Sequence, residues 1–367
     1  MDLAKESLRK LDTELGGHLA GDAVSLLLKT FEARFSAALP QSVDAAEAIA
    51  LAAAGGASSV SIPASAFLDP ASGVLADELR SAREALKEHG LSVSFVDLDF
   101  GFDERFGLGS VTHPDGGVRR DAQTLALESI EAAAGLDAEG LRFEPATDAW
   151  QTPFQANYGA ALQHFLDACG ELNGRAKAKD LSFALATVPG ASVATNVHKT
   201  AFVADRVNRD GGGKNCGLAV DHDAEADSVA VPADAIYFAR VAGVPVHEIG
   251  LGAGPAAAAL DAFTFGEYLY AAVDTGFDGW FRAACPEDAE RIVRATTIAL
   301  ELFANALRRA LLVYRDKDVL LRAQSVGGPE SALDAVKRAM VSGLPIRVPG
   351  PLKAPARKRA KPAGAKR

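Results

Sequence analysis

The stretch that decides the fold runs from LSFALATV at 181–188 to CGLAVD at 216–221. The segments at the two ends of this stretch are short and apolar. Between them, the region near 197–209 has apolar residues at helical spacing, and three glycines follow it. A strand, a helix and a second strand in this order predict two parallel strands joined by a crossover. The stretch is therefore typical of an α/β protein.

The same alternation extends in both directions along the chain. Working outward predicts eight strands, near 34–39, 58–63, 92–98, 141–145, 181–187, 216–220, 245–249 and 279–283. Eight strands separated by helices predict a closed (β/α)8 TIM barrel. A doubly wound open sheet is the alternative, but it would want a glycine fingerprint after its first strand, and AALPQSVDA at 37–45 has none.

The bulk composition limits the class of protein. Of the 367 residues 49% are hydrophobic, which is ample for one large core, and a net charge of -10 argues against general nucleic-acid binding by the body of the protein. Cys169, Cys216 and Cys285 are odd in number and far apart, so they indicate no disulfide framework and favour a reducing cytoplasm. No signal peptide and no transmembrane run is expected.

The two ends of the chain differ from the predicted barrel at 31–345. Residues 1–30 are expected to form a helical arm, because Leu8, Leu11, Leu15 and Leu19 recur at helical spacing. Residues 346–367 are expected to be a disordered basic tail, because 351–367 hold seven Lys and Arg and no acid. The tail could contact acidic surfaces by charge alone.

Polar side chains stand near the carboxyl ends of several predicted strands, where α/β barrels place their functional sites. Ser61, Asp97 and Glu144, with Asp148 just beyond its strand, predict a polar substrate pocket. Asp221 begins the run DHDAEAD at 221–227, whose oxygen ligands would suit Mg²⁺ or Mn²⁺. An acidic, solvated loop is the other interpretation of this run.

Other motifs leave alternatives open. His247 and Glu248 close the apolar run GVPV at 243–246, and strand alternation allows only one of them to enter the barrel mouth. Glycines at 211–213 and 250–254 could cradle phosphate, but neither matches a known phosphate loop, so turn chemistry is favoured. Cys285 has no His partner that the sequence fixes, and we expect it to be a small buried residue.

The segment GLGSVTHPDGGVRRDAQTLALESIEAAAGL at 107–136 resembles the L-rhamnose isomerase group of xylose-isomerase-like barrels. That group carries a similar Gly-Ser-Leu-Thr-x-Pro-Asp-x-x-Val-Arg-Arg segment before a helix. Weaker resemblances occur in the same order at 34–39, 58–64, 146–155, 217–221 and 290–316. Together they cover about residues 30–340 and imply the same barrel fold.

The resemblance also implies a chemistry. In that family a divalent metal held by carboxylates and one His polarises the sugar oxygens while hydrogen moves between C1 and C2. The sixth-strand Asp falls on Asp221 and the His on His247. The fifth-strand Glu and Lys fall within FALAT at 183–187, which has neither, and the last-strand Asp falls on or beside Ala283. The ring-handling His of the second strand falls on Ser61.

These replacements give two hypotheses. The first is a pseudoenzyme, or a repurposed barrel that binds a sugar or a partner, with no cofactor. The second is a metal-dependent aldose-ketose isomerase or epimerase, with Mn²⁺ or Mg²⁺ in a relocated site built from Asp221, Asp223, His247 and Glu144. The resemblance and the predicted arm further suggest a homo-oligomer.

Overall fold

The protein is described here by a computed structural model, which covers residues 21–146, 156–188, 193–221, 233–251, 262–327 and 329–342. The predicted arm at 1–20, the tail at 346–367, Asp148, and the acidic residues that follow Asp221 lie outside the described residues. Within the described ranges, no helix combines the length and apolar character needed to cross a membrane.

Eight parallel strands close into a barrel. β1 pairs with both β2 and β8, and every other strand pairs with its neighbours in chain order. This closure confirms the predicted barrel and rules out the open sheet. The strands are β1 Arg34–Ala38, β2 Ser59–Pro63, β3 Ser92–Asp99, β4 Gly140–Glu144, β5 Ser182–Ala186, β6 Cys216–Asp221, β7 Val246–Gly250 and β8 Trp280–Ala284.

Helices alternate with the strands and cover the barrel. The helix predicted near 197–209 is found at Val197–Gly211, whereas the two helices that follow the long helix after β8 were not predicted. The helices are α1 Asp22–Thr30, α2 Ala45–Ala54, α3 Ala76–His89, α4 Gly116–Gly135, α5 Tyr158–Lys177, α6 Val197–Gly211, α7 Asp234–Ala242, α8 Ala262–Thr275, α9 Ala289–Arg315, α10 Lys317–Gly327 and α11 Pro329–Ser342.

Successive side chains along each strand face alternately toward the surrounding helices and toward the barrel interior. Residues such as Phe143 and Phe183 face outward, and the Phe143 ring lies 6.2 Å from that of Phe165 on α5. The apolar side chains of the barrel interior form a separate small cluster made of Phe95, Ala184, Ala186, Ala219 and Trp280. The two apolar layers explain why the strands read as nearly continuous hydrophobic runs.

The amino-terminal end of the barrel is closed by a local cluster. The Arg34 guanidinium lies 4.1 Å from the centre of the Trp280 ring and pairs with Glu139. The Trp280 indole N–H donates to Glu139 at 3.2 Å. Above them the hydroxyls of Ser36 and Ser94 lie 2.6 Å apart. The interior is thus filled at this end, and the polar side chains that remain concentrate at the carboxyl end.

Candidate functional site at the barrel mouth

The carboxyl ends of the strands, here called the barrel mouth, hold a network of buried and partly buried polar and charged side chains. β2, β3, β4, β7 and β8 each contribute to it, so residues far apart in the chain are brought into contact. Its members are Ser61, Asp97, Arg142, Glu144, Glu248 and Arg282.

Asp97 connects two strands through one of its oxygens. The Ser61 hydroxyl donates to Asp97 Oδ2 at 2.5 Å, and Arg282 Nη2 donates to the same oxygen at 2.9 Å. Ser61 is fully buried and Asp97 is 7% exposed. Charged hydrogen bonds in such surroundings are stronger than in water, so this contact fixes both side chains.

Glu248 lies between the two guanidinium groups. Its Oε1 is 3.2 Å from Arg142 Nε and 3.9 Å from Arg282 Nε, and the residue is 1% exposed. Arg142 also donates from Nη1 to Glu144 Oε2 at 2.5 Å. Arg142 and Arg282 therefore link three carboxylates, of Asp97, Glu144 and Glu248, across the barrel.

Burial and neighbouring charges alter the protonation of these groups. Burial raises the pKa of Glu248 to about 7, although Arg282 and Arg142 oppose the rise. Burial also raises the pKa of Asp99, and repulsion from Glu144 adds to it. Burial disfavours the charge of Arg142 and of Arg282, but the carboxylates around them outweigh it and raise both pKa values. The two guanidiniums therefore stay charged at any working pH.

Asp221 reaches the same mouth from β6. It pairs in register with Gly250 at the end of β7, and a Cβ on Gly250 would collide with the Asp221 carboxylate. Gly250 also pairs with Arg282 of β8. The absence of a side chain at Gly250 leaves room for the Asp221 carboxylate, so packing explains why a glycine is present at this position.

His247 lies at a different height in the barrel. Its Nε2 is 3.0 Å from the carbonyl oxygen of Asn215, which precedes β6, and its ring packs against Gly217 near the start of that strand. Burial lowers the pKa of His247, which favours the neutral ring. The strand pairing shifts between Val246 and Glu248, and this irregularity sets His247 toward the amino-terminal end while Glu248 enters the mouth.

A divalent metal does not fit the described residues. Asp221 stands four residues further along β6 than Gly217, a rise of about 13 Å, whereas the ligands of one ion lie about 2–2.6 Å from it. The two ligands carried over by resemblance are therefore not brought together. Across the described ranges, no group of three His, Cys, Asp or Glu side chains is arranged to hold a metal. Two permanent cations at the mouth add repulsion.

The mouth holds three of the four predicted pocket residues. Ser61, Asp97 and Glu144 belong to the network, while Asp148 lies outside the described residues. Sequence reasoning missed Arg142 and Arg282. Each is a lone arginine inside a short apolar strand, GLRFE or WFRAA, and that placement is the signal that could have identified them.

Comparison with known proteins shows which solved structures share this fold. No protein-family profile and no curated protein sequence matches the chain. Among solved structures, an L-ribulose 3-epimerase aligns with a TM-score of 0.59 and 16% identity, over 77% of this chain and 98% of that one. The fold is shared with sugar epimerases. A D-allulose 3-epimerase from Methylomonas sp. aligns at 0.56 and 14%, over 74% and 98%.

The same fold serves other activities. An AP endonuclease of family 2 from Brucella melitensis aligns with a TM-score of 0.51 and 16% identity, over 68% of this chain and 92% of that one. At such low identity the comparisons show the (β/α)8 barrel fold and leave the activity to the site.

The segment that carries the resemblance to L-rhamnose isomerases has a local structural role. Asp115 accepts hydrogen bonds from the backbone N–H groups of Gly117 and Val118, at 2.5 and 3.3 Å, and so caps α4. Arg119 donates to the carbonyls of His113 and Pro114. Because helix capping alone accounts for these side chains, assignment to the L-rhamnose isomerase group stays a prediction.

Proposed function

We propose that this barrel binds a small, sugar-like molecule at its mouth and does not act as a metal-dependent sugar isomerase. The observation that carries the proposal is the pair of buried guanidiniums, Arg142 and Arg282, where a metal centre would require carboxylates. The barrel fold, which is shared with structures named as D-psicose 3-epimerase and L-ribulose 3-epimerase, supports a sugar as the ligand.

Arg282 is the most informative of these residues. The resemblance sets the last-strand metal-binding Asp on or beside Ala283, and the neighbouring residue that enters the mouth is Arg282. A positive charge at this position replaces a negative one, which opposes a dication instead of holding it. Loss of a metal that stabilises charge on sugar oxygens would leave little isomerisation.

The polar side chains of the network can nevertheless bind a sugar. Serine hydroxyls, carboxylates and guanidiniums are the groups that hydrogen-bond the hydroxyls of a polyol. Glu144 is about a quarter exposed, with 28% of its side chain accessible, so the network reaches solvent at this edge. The network is therefore open to solvent at the edge formed by Glu144, from which a ligand can approach it.

The test combines metal content with turnover. Full-length protein is saturated with Mn²⁺ or Co²⁺, desalted, analysed for bound metal, and assayed on a panel of aldoses and ketoses. We expect far less than one equivalent of metal and no turnover, together with sugar binding by calorimetry. Turnover near about 1 s⁻¹ that is abolished by chelation or by Asp221→Ala would overturn the proposal.

The names of the neighbouring structures favour a second candidate, a metal-dependent epimerase with a relocated site. Among the described residues, its ligands would come from carboxylates of the mouth such as Asp221, Glu144 and Glu248, since His247 lies too far along the barrel. The same experiment decides between the candidates, because only the second expects metal-dependent turnover.

A further inference from the structure

The inner face of the mouth carries more negative than positive charge. Two guanidiniums face five carboxylates, so the described strand residues sum to a charge of -3 when all are ionised. The sum is -1 when Glu248 and Asp99, whose pKa values burial raises, are protonated. The carboxylates are those of Asp97, Asp99, Glu144, Asp221 and Glu248, and the guanidiniums are those of Arg142 and Arg282. The excess favours a ligand that brings positive charge.

Four buried atoms of this network form no hydrogen bond within the described residues. They are two oxygens, of Asp97 and Glu248, and the Nε atoms of Arg142 and Arg282, which lie 3.2 and 3.9 Å from Glu248 Oε1. Asp97 Oδ1 and Glu248 Oε2 are buried and unpaired in the part of the chain that the structure describes, although the other oxygen of each carboxylate faces Arg282. The two residues are 7% and 1% exposed. Buried acceptors without donors are unfavourable, and each such group in a native protein requires an explanation. A ligand that donates hydrogen bonds would supply it.

We infer that the ligand of this mouth is an amino sugar or a closely similar polyol, whose protonated amine donates to Asp97 and Glu248. The inference rests on the proposed function and names the class of sugar. One guanidinium, that of Arg282, lies 2.9 Å from Asp97 Oδ2 and 3.9 Å from Glu248 Oε1, so the two carboxylates are neighbours in the mouth. An ammonium group has three donors and no acceptor, which matches two unpaired acceptors.

Other ligand classes fit these residues less well. A sugar phosphate or sugar acid would bring negative charge to a face that already has an excess of it. A dication would have to approach Arg142 and Arg282, which already hold the carboxylates. A neutral sugar could donate hydroxyl groups to the same oxygens, but it would leave the excess charge uncompensated.

The test is a matched series of ligands on the full-length protein, measured by isothermal titration calorimetry. D-glucosamine, D-galactosamine and D-mannosamine are each compared with the parent hexose, the N-acetyl derivative and the 6-phosphate, and Mn²⁺ is titrated alone. We expect at least one amine to bind about tenfold or more tightly than its parent hexose, because charged hydrogen bonds are the stronger ones. Acetylation should abolish the preference, and the phosphates should not bind.

Variants assign the preference to the network. Glu248→Gln and Asp97→Asn should remove the advantage of the amine, while Glu84→Gln, an exposed neutralisation on α3, should keep it. If the buried variants do not fold, Glu144→Gln at the exposed edge should still reduce the advantage. Equal binding of amines and parent hexoses would overturn this inference but leave the proposed function. Failure of every sugar to bind would overturn both, and competition between Mn²⁺ and the amine would favour the metal candidate.

Discussion

At the scale of single residues, the mouth shows how a carboxylate is kept inside a protein. Glu248 is fully buried, and two guanidiniums offset the loss of water around it only in part. A polar ring at the neighbouring position, His247, is held elsewhere by a backbone carbonyl. Sequence alternation left open which of the two enters the mouth, and the irregular pairing of β7 selects Glu248.

Protonation of Glu248 should make the stability of the fold depend on pH. Its pKa rises from an ordinary 4.5 to about 7 on folding, so between these values the folded chain holds a proton that the unfolded chain has lost. The contribution of this group to stability is complete below about pH 4.5 and is lost as the pH rises through 7. Asp99, whose pKa is also raised, acts in the same direction.

Urea unfolding at several pH values between 5 and 8 measures this effect. The free energy of unfolding should fall as the pH rises, and Glu248→Gln should reduce the slope by up to about 1.4 kcal/mol per pH unit. Glu84→Gln is the control and should keep the slope of the unaltered protein. If Glu248→Gln and the unaltered protein share one slope, Glu248 ionises normally in the fold.

At the scale of elements, small residues on the strands make room for side chains in the barrel. A Cβ on Gly217 would lie 2.6 Å from His247 Nε2 and 2.7 Å from the Pro245 carbonyl oxygen. One of these atoms is backbone, so little relaxation is available. By contrast, a Cβ on Gly170 of α5 would meet nothing within 4 Å.

The two glycines should therefore respond oppositely to alanine. Gly217→Ala should lower the free energy of unfolding by about 1–3 kcal/mol or more, because overpacking forces strand β6 and His247 apart. Gly170→Ala should raise it by roughly 0.5–1 kcal/mol, because alanine favours a helix interior. Thermal and urea unfolding of the two variants provide the measurement. A neutral Gly217→Ala would show that His247 moves freely and is not fixed by Asn215.

At the scale of the whole molecule, the chain divides into a barrel and two predicted appendages. The domain boundaries at 31–345 and the oligomeric state stay predictions. The composition of the tail, nearly all Pro, Ala and cations with almost no apolar anchors, offers nothing that could bury a core.

Removal of residues 351–367 should therefore leave folding unchanged. The midpoint of thermal unfolding, followed by circular dichroism, should shift by less than about 2 °C. The matched comparison is the full-length protein in the same buffer at high and low salt, which separates a packing role from a charge effect. A drop of many degrees on deletion would mean that the tail packs on the barrel.

The sequence by itself determined the architecture. Strands such as LSFALATV and helices such as Val197–Gly211 carry their apolar periodicity locally, and eight repeats of that alternation predict the closed barrel that the structure confirms. It also set Ser61, Asp97 and Glu144 at strand ends, where the structure brings them together.

Only the tertiary structure decided the chemistry of the mouth. The partners of Arg282 come from β3 and β7, and Arg142 pairs with Glu248 of β7 as well as with Glu144 on its own strand. Only the pair of Arg142 and Glu144 is local in sequence. Strand alternation predicts which face of the sheet a side chain lies on, but not its position along the barrel axis. The irregular pairing of β7 with β6 places His247 away from Asp221. The charge of a site depends on strand register and closure, which are properties of the closed barrel as a whole.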